Sequence, residues 1–425
     1  MAKGRPINHW QPQVALFILC LVYTFNYIDR QLVSLLAEPI KRDIGMTDTQ
    51  LGLLSGFAFA AVYALAGLPL AWYADRADRV RIVAFSCALW SISTGLCGAA
   101  NSFVHMAIAR VGVGIGEAGG VPPSYSIISD YYKARHRGIA IGIYSLGVPF
   151  GAAVGVAVGG WLTVQYGWRV TFFSIGGFGV FLSLCLLIFV AEPKRGALDH
   201  EAKLNEEPHA ALQTMRALIG NRTFVSLMIS CALCSFAFSG FASWVPAMLM
   251  RSKGMLMGEV ASYYSLVVGG SIAFGALSGG YLNSRFSRNP VISVMIPALL
   301  MVIAIPCLVT GSLLDSWTIG LFFLAIPLIP NMMFYTPAMA IIQNSVGAHQ
   351  RALAAAVPTL ITNLIGTGLA PPFVGMVSDW ATPRYGTKGI EIAIISLSPF
   401  FLVAGLSILF VVYCIRRDAV QAEPA

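Results

Sequence analysis

Runs of about 20 apolar residues, separated by short polar stretches, recur along the whole chain, and that length is what a helix needs to cross the hydrocarbon of a bilayer. Only a helix or a closed barrel satisfies its own backbone hydrogen bonds there. The pattern predicts twelve crossings. Six lie near residues 14–37, 50–74, 82–100, 103–128, 138–163 and 168–190, and six near 223–249, 259–282, 290–311, 317–345, 352–378 and 390–414. One long polar interval, residues 192–221, sits between the sets. The sequence therefore reads as an all-α membrane protein with an N-terminal six-helix half (1–191), a cytoplasmic central loop (192–221) and a C-terminal six-helix half (222–425).

Composition agrees with that pattern. Of the 425 residues 57% are hydrophobic and 11% charged, against about 25% charged in a soluble domain. A soluble globular protein is excluded. The net charge of +8 does not indicate nucleic acid, because the basic residues sit in short loops rather than on one solvated face. Of the 27 Lys and Arg, 18 fall on one side of the predicted crossings and seven on the other. Positive residues mark the cytoplasmic side, so both termini and the central loop are expected in the cytoplasm and the protein in the cell inner (plasma) membrane. The first apolar run is too long for a signal-peptide core and lacks a small-residue cleavage site.

The eight cysteines lie almost entirely in apolar runs, which implies packing rather than a disulfide framework. Cys231 and Cys234 form a C-x-x-C with no second pair and no nearby histidine, so neither a metal nor a cofactor is expected. Asn221-Arg222-Thr223 matches a glycosylation sequon but falls on the cytoplasmic side. No H-E-x-x-H, P-loop or G-x-S-x-G stands in the chain, and an enzyme is not expected.

The halves echo one another. A shift of 209 places Gly45-Met46 on Gly254-Met255; a shift of 214 places Pro123 on Pro337, Glu117 on Asn331 and Arg137 on Arg351. Parallel six-helix repeats are an arrangement of rocking transporters, with a substrate site near the midplane.

Four ionisable residues fall deep inside predicted crossings: Asp29 and Arg30 in the first, Arg110 and Glu117 in the fourth. Each costs roughly 2.5–3.5 kcal/mol at a helix centre if unaccompanied. They must face protein or a watery cavity. Arg110 and Glu117 are seven apart, so they share a helix face about 10 Å apart along the axis, whereas adjacent Asp29 and Arg30 diverge by about 100°. Asp29 is expected to face the cavity, and Arg30 a neighbouring polar group. Protonation of Asp29 leaves the cluster net positive and frees an arginine for an anionic substrate group, which assigns proton coupling to Asp29 and Glu117 and substrate contact to Arg30, Arg110 and Glu117. The second half lacks such charges and offers Trp244, Asn331, Tyr335, Gln343 and Asn363 as neutral substrate contacts.

Gly112, Gly116 and Gly120, and again Gly147, Gly151, Gly155 and Gly159, form small-residue stripes along which helices approach and slide. After the second crossing, Ala71 to Arg81 resembles the G-x-x-x-D-R-x-G-R-R loop of the major facilitator superfamily, keeping Asp75, Arg76 and Arg79 but carrying Ala71 and Asp78 at the glycine positions. The resemblance implies a cytoplasmic gate at Asp75, Arg76 and Arg79, worth only about 0–1 kcal/mol at a wet surface. Within that superfamily the strings Phe25 to Gln31, Thr49 to Gly56, Arg110 to Ala118 and Ser129 to Tyr132 are similar to spinster-type lipid transporters. That resemblance implies proton sensing at Asp29, a charged pair at Arg110 and Glu117, and a proton-linked carrier of lysolipids or sphingoid phosphates, working as a monomer among membrane lipids. A proton symporter of a small organic acid, a proton-independent lipid scramblase and a non-transporting receptor stay open as alternatives.

Overall fold

The computed structural model describes residues 10–74, 76–195, 218–286, 289–344 and 351–422. The described residues form helices and no strand. Among the described residues, nine helical stretches are long and apolar enough to span a membrane. Two of them, Arg135–Phe189 and Ala356–Arg417, have 55 and 62 residues. At 1.5 Å per residue each exceeds 80 Å, against a hydrocarbon core of about 30 Å, so each makes two crossings. The fourth crossing completes the twelve: it is built from Phe103–Ala118 and Val121–Tyr131.

The sequence pattern locates the crossings but not their interruptions, which follow from glycine and proline. The second crossing is Asp48–Ser55 followed by Phe57–Ala74, with Gly56 between them at φ −110° and ψ −88°. The fourth breaks at Gly119-Gly120, ahead of Pro122 and Pro123. The fifth and sixth crossings run together as Gly147–Phe189 and part at Gly167, whose φ of 82° lies where a side chain is disfavoured. In the eleventh, Arg351–Ile361 passes through a π-helix, Thr362–Leu369, into Ala370–Tyr385. Pro371 and Pro372 carry no backbone N–H, so the ordinary helical bonds back to this segment cannot form.

The described residues divide into two compact units. One takes in those of Met1–Met46, Ala58–Leu204 and Leu256–Gly269; the other takes in those of Thr47–Phe57, Asn205–Met255 and Gly270–Ala425. Each thus holds a short segment from the other end of the sequence. Both segments follow the repeated Gly-Met pair, and Gly45 and Gly254 have the same left-handed backbone, φ 76° and 67°. The sequence echo therefore marks equivalent turns.

In the first unit the first crossing, Gln11–Leu35, packs along the glycine stripe of the fifth. A Cβ on Gly151 would stand 2.5 Å from the Thr24 carbonyl and from the Tyr27 Cβ, and Gly147, Gly155 and Gly159 meet the same helix. Gly112 and Gly116 meet Ser93 and Trp90 of the third crossing. Buried Leu16, Leu19, Val22, Val83, Cys87, Trp90, Val113 and Leu186 fill the space between. In the second unit the short helix Asp48–Ser55 lies on Ala370–Tyr385, where a Cβ on Gly52 would stand 2.4 Å from the Pro371 carbonyl.

Gly151→Val is expected to destabilise the protein by about 1–3 kcal/mol, the usual cost of overpacking a close helix contact. Thermal unfolding in detergent measures it; an unchanged midpoint contradicts the contact.

Candidate functional site

The first unit gathers the four buried charges into two pairs. Arg30 Nε donates to Glu117 Oε2 at 2.8 Å, and Arg110 Nη1 stands 3.7 Å from Asp29 Oδ2. Asp29, Arg110 and Glu117 are buried, at 2%, 1% and 0% exposure. The Arg30 side chain keeps 23% exposure and is the accessible member. Arg110 and Glu117 do share one helix face, as their spacing predicts. What spacing does not reveal is the partnering: neighbours on the first helix reach residues seven apart on the fourth because arginine's long arm spans the axial offset.

Aromatic rings surround Arg30. Its guanidinium carbon is 5.3 Å from the Tyr27 ring centre, 4.9 Å from that of Phe59 and 5.5 Å from that of Tyr63. Tyr23 stacks on Tyr144 at 4.5 Å, and Tyr125 meets Tyr144 edge-on. A cation, apolar ring faces and phenol edges thus adjoin one another. Such a surface suits a ligand with an anionic group and an apolar body.

The candidates of the second half are placed differently. The Trp244 indole donates to the Pro371 carbonyl at 2.9 Å and is 2% exposed, so it ties the seventh crossing to the eleventh. Asn331 is buried and Tyr335 follows it by one turn on the same helix face. The Tyr335 hydroxyl is 3.4 Å from Thr359 Oγ1. Asn363 lies in the π-helix beside buried Thr362, and Gln343 is exposed one residue from its helix end. Asn331 and Tyr335 share one face, whereas the Trp244 indole is committed to the Pro371 carbonyl.

Of the gate residues, Asp75 lies outside the described residues and Arg76 is exposed. Arg79 is buried, which differs from the wet surface expected of it. Its guanidinium meets Asp130 at 2.5 Å, Glu192 at 2.6 Å and Ser126 at 2.7 Å, and also donates to the Pro193 carbonyl. Glu192 in turn accepts from the Val80 N–H. Tyr131 and Tyr132 donate to the carbonyls of Ala191 and Pro12. The Ser129 to Tyr132 string therefore staples the fourth crossing to the first, third and sixth. Asp78, at a glycine position of the family motif, caps the third helix through the Arg81 N–H.

Sequence reasoning missed a second polar centre, in the second unit. Buried Asp48 takes a bidentate pair from Arg251 at 2.6 and 2.9 Å and a hydrogen bond from Ser378 at 2.6 Å. Asp379 accepts from the backbone N–H groups of Asp48 and Thr49 and from the Thr49 hydroxyl. A carboxylate from the eleventh crossing thus caps the second. Thr47 and Gln50 complete a capping box, and that local signature ahead of an apolar run was the available sequence signal. Nearby, Lys253 pairs with Glu391 and donates to the Ser312 carbonyl, both at 2.6 Å.

The comparisons with known proteins follow the same lines. Residues 19–371 match the family model of the Major Facilitator Superfamily, and the chain belongs to that family of multi-pass membrane transporters. It resembles the solved structure of a bacterial homologue of the human lysosomal transporter spinster, in its inward-facing and unoccupied conformation, with a TM-score of 0.89 and 30% identity over 97% of this chain and 99% of that one. An MFS-type efflux pump of Mycolicibacterium smegmatis is 31% identical, covering 99% of this chain and 96% of the relative. The sphingosine-1-phosphate transporter SPNS2 of Danio rerio is 25% identical, covering 93% and 82%.

Asp130→Asn is expected to lower the unfolding midpoint in detergent, because loss of one partner leaves the Arg79 charge undercompensated where it is buried, at a cost of about 3–5 kcal/mol when nothing else makes it good. Glu192 offsets part of that cost. An unchanged midpoint contradicts a structural role for the staple.

Proposed function

We propose that the protein is a proton-coupled secondary active transporter that moves an amphiphilic, anionic, lipid-like molecule by alternating access. One observation carries the reading: two acid–guanidinium pairs buried in membrane-spanning helices, one of whose arginines remains accessible amid aromatic rings. A charge in this setting is costly without its partner. Protonating Asp29 or Glu117 releases a guanidinium whose best remaining partner is an anionic group on the substrate. Deprotonation restores the internal pair and favours release. Proton and substrate occupancy thereby become linked, and linkage of this kind is reciprocal.

The aromatic surround supports an apolar body on the substrate. The Danio rerio relative is named for a phosphate-bearing lipid, which supports the same class of cargo. The Asp48–Arg251–Asp379 centre acts as a gate that must release the start of the second helix when the transporter changes state, and within the first unit Arg79 ties the third crossing to the fourth and to the segment after the sixth. We assign both termini to the cytoplasm on the 18 to seven charge bias, and the working form to a monomer.

Reconstitution in liposomes with an imposed pH gradient tests the reading, using labelled lysophospholipid and labelled small carboxylates as cargo. Gradient-driven movement of the lysophospholipid is expected, with Asp29→Asn folded, still binding cargo and no longer driven by the gradient. Movement of the small acid alone replaces the lipid reading; normal gradient-driven flux in Asp29→Asn refutes the coupling assignment.

A further inference from the structure

The two buried pairs raise a problem of partner choice. Two cations and two anions sit in one bundle, each carboxylate within electrostatic reach of both arginines. When one acid takes a proton, its guanidinium can turn to the substrate or to the other pair's carboxylate. The second course neutralises the freed charge internally and wastes the proton. Arg110 and Glu117 are already on one helix face, so nothing in the sequence spacing prevents it.

Phe59 stands beside both arginines. It is 3% exposed, and its ring centre is 4.9 Å from the Arg30 guanidinium carbon and 5.5 Å from that of Arg110. It is the ring shared by one arginine from each pair. Its position has an independent cause on the fourth helix: Gly114, four residues after Arg110 and three before Glu117, has no side chain, and a Cβ there would stand 3.0 Å from the Phe59 carbonyl. The gap in that helix surface admits the second helix between the two charged positions. Phe59 also lies only three residues after the break at Gly56.

We propose that Phe59 is a positioning residue for ion coupling, whose ring bars exchange of partners between the Asp29–Arg110 and Arg30–Glu117 pairs. The ring works by occupying space and by offering each guanidinium a π face when its carboxylate is neutral; it does not screen the charges, which still act on one another through the apolar interior. This role rests on the proton-coupled reading above. The other groups facing the cluster are Thr94 and Cys97 of the third crossing towards Asp29 and Arg110, and Tyr23, Tyr27 and Tyr63 around Arg30. None is an ion pair partner able to replace the ring as a barrier.

The test is Phe59→Leu, which keeps an apolar side chain and removes the ring, beside Phe59→Tyr, which keeps the ring. Flux of a labelled lysophospholipid into liposomes is compared with and without a pH gradient. In Phe59→Leu, gradient-driven flux should fall about fivefold further than downhill flux without a gradient does, the weight of one cation–π contact at the weaker end of its range. Phe59→Tyr should retain the stimulation. A purely structural role would lower both fluxes together and would overturn the proposal. Should Phe59→Leu fail to fold, Phe59→Met fills the same space without a π face and carries the same expectation. Gradient stimulation kept in the ring-less variant, or lost equally in Phe59→Tyr, overturns the role of the ring alone. Absence of stimulation in the wild type overturns both this role and the functional reading on which it rests.

Discussion

A charge cannot stand unaccompanied in hydrocarbon, and that constraint organises the membrane interior of this protein. Asp29, Arg30, Arg110 and Glu117 are tolerated because they meet one another. Their meeting bridges the first and fourth helices through long side chains, with the second supplying Phe59 against both arginines. The fifth helix lies against the first along its glycine stripe, and the third against the fourth at Gly112 and Gly116. Glycine packing thus holds the first helix on the fifth and the fourth on the third, while the charge pairs tie the first to the fourth.

The same economy governs the polar groups nearer the helix ends. Arg79 gathers two carboxylates, a serine and a carbonyl around a guanidinium that is buried rather than wet. Asp48 and Asp379 deal with a helix N-terminus and an arginine together, and the capping carboxylate comes from a helix more than 300 residues away in the chain. Each of these centres has several members, so each can hold one geometry firmly and release it as a unit. A lone exposed pair contributes about 0–1 kcal/mol and holds little.

Much of this was legible in the sequence. Apolar run length located the crossings, since the bilayer imposes one length on every helix. The charges announced themselves by standing in apolar runs, and the seven-residue spacing put Arg110 and Glu117 on one face. The echo of Gly45-Met46 in Gly254-Met255 identified equivalent left-handed turns. Partnering was not legible, because it depends on which helices pack and on how far an arginine arm reaches. Burial of Arg79 escaped for the same reason: a loop motif shows that an arginine is present, not that Asp130 and Glu192 enclose it. The helix breaks at Gly56 and through Thr362–Leu369 were hidden in stretches whose hydropathy is uniform. Trp244 read as a ligand contact because an amphipathic aromatic suits that role, yet its indole is committed to the Pro371 carbonyl.

Under the proposed coupling, cargo and the Asp29 and Glu117 carboxylates compete for the same buried guanidinium groups, so cargo binding favours protonation of a carboxylate; proton uptake when labelled lysophospholipid binds the purified protein in weakly buffered detergent solution measures this most directly. Uptake of about one proton per molecule bound is expected near neutral pH, abolished in the double variant Asp29→Asn, Glu117→Gln while binding persists. Binding that moves no proton at any pH at which the protein is folded would contradict it.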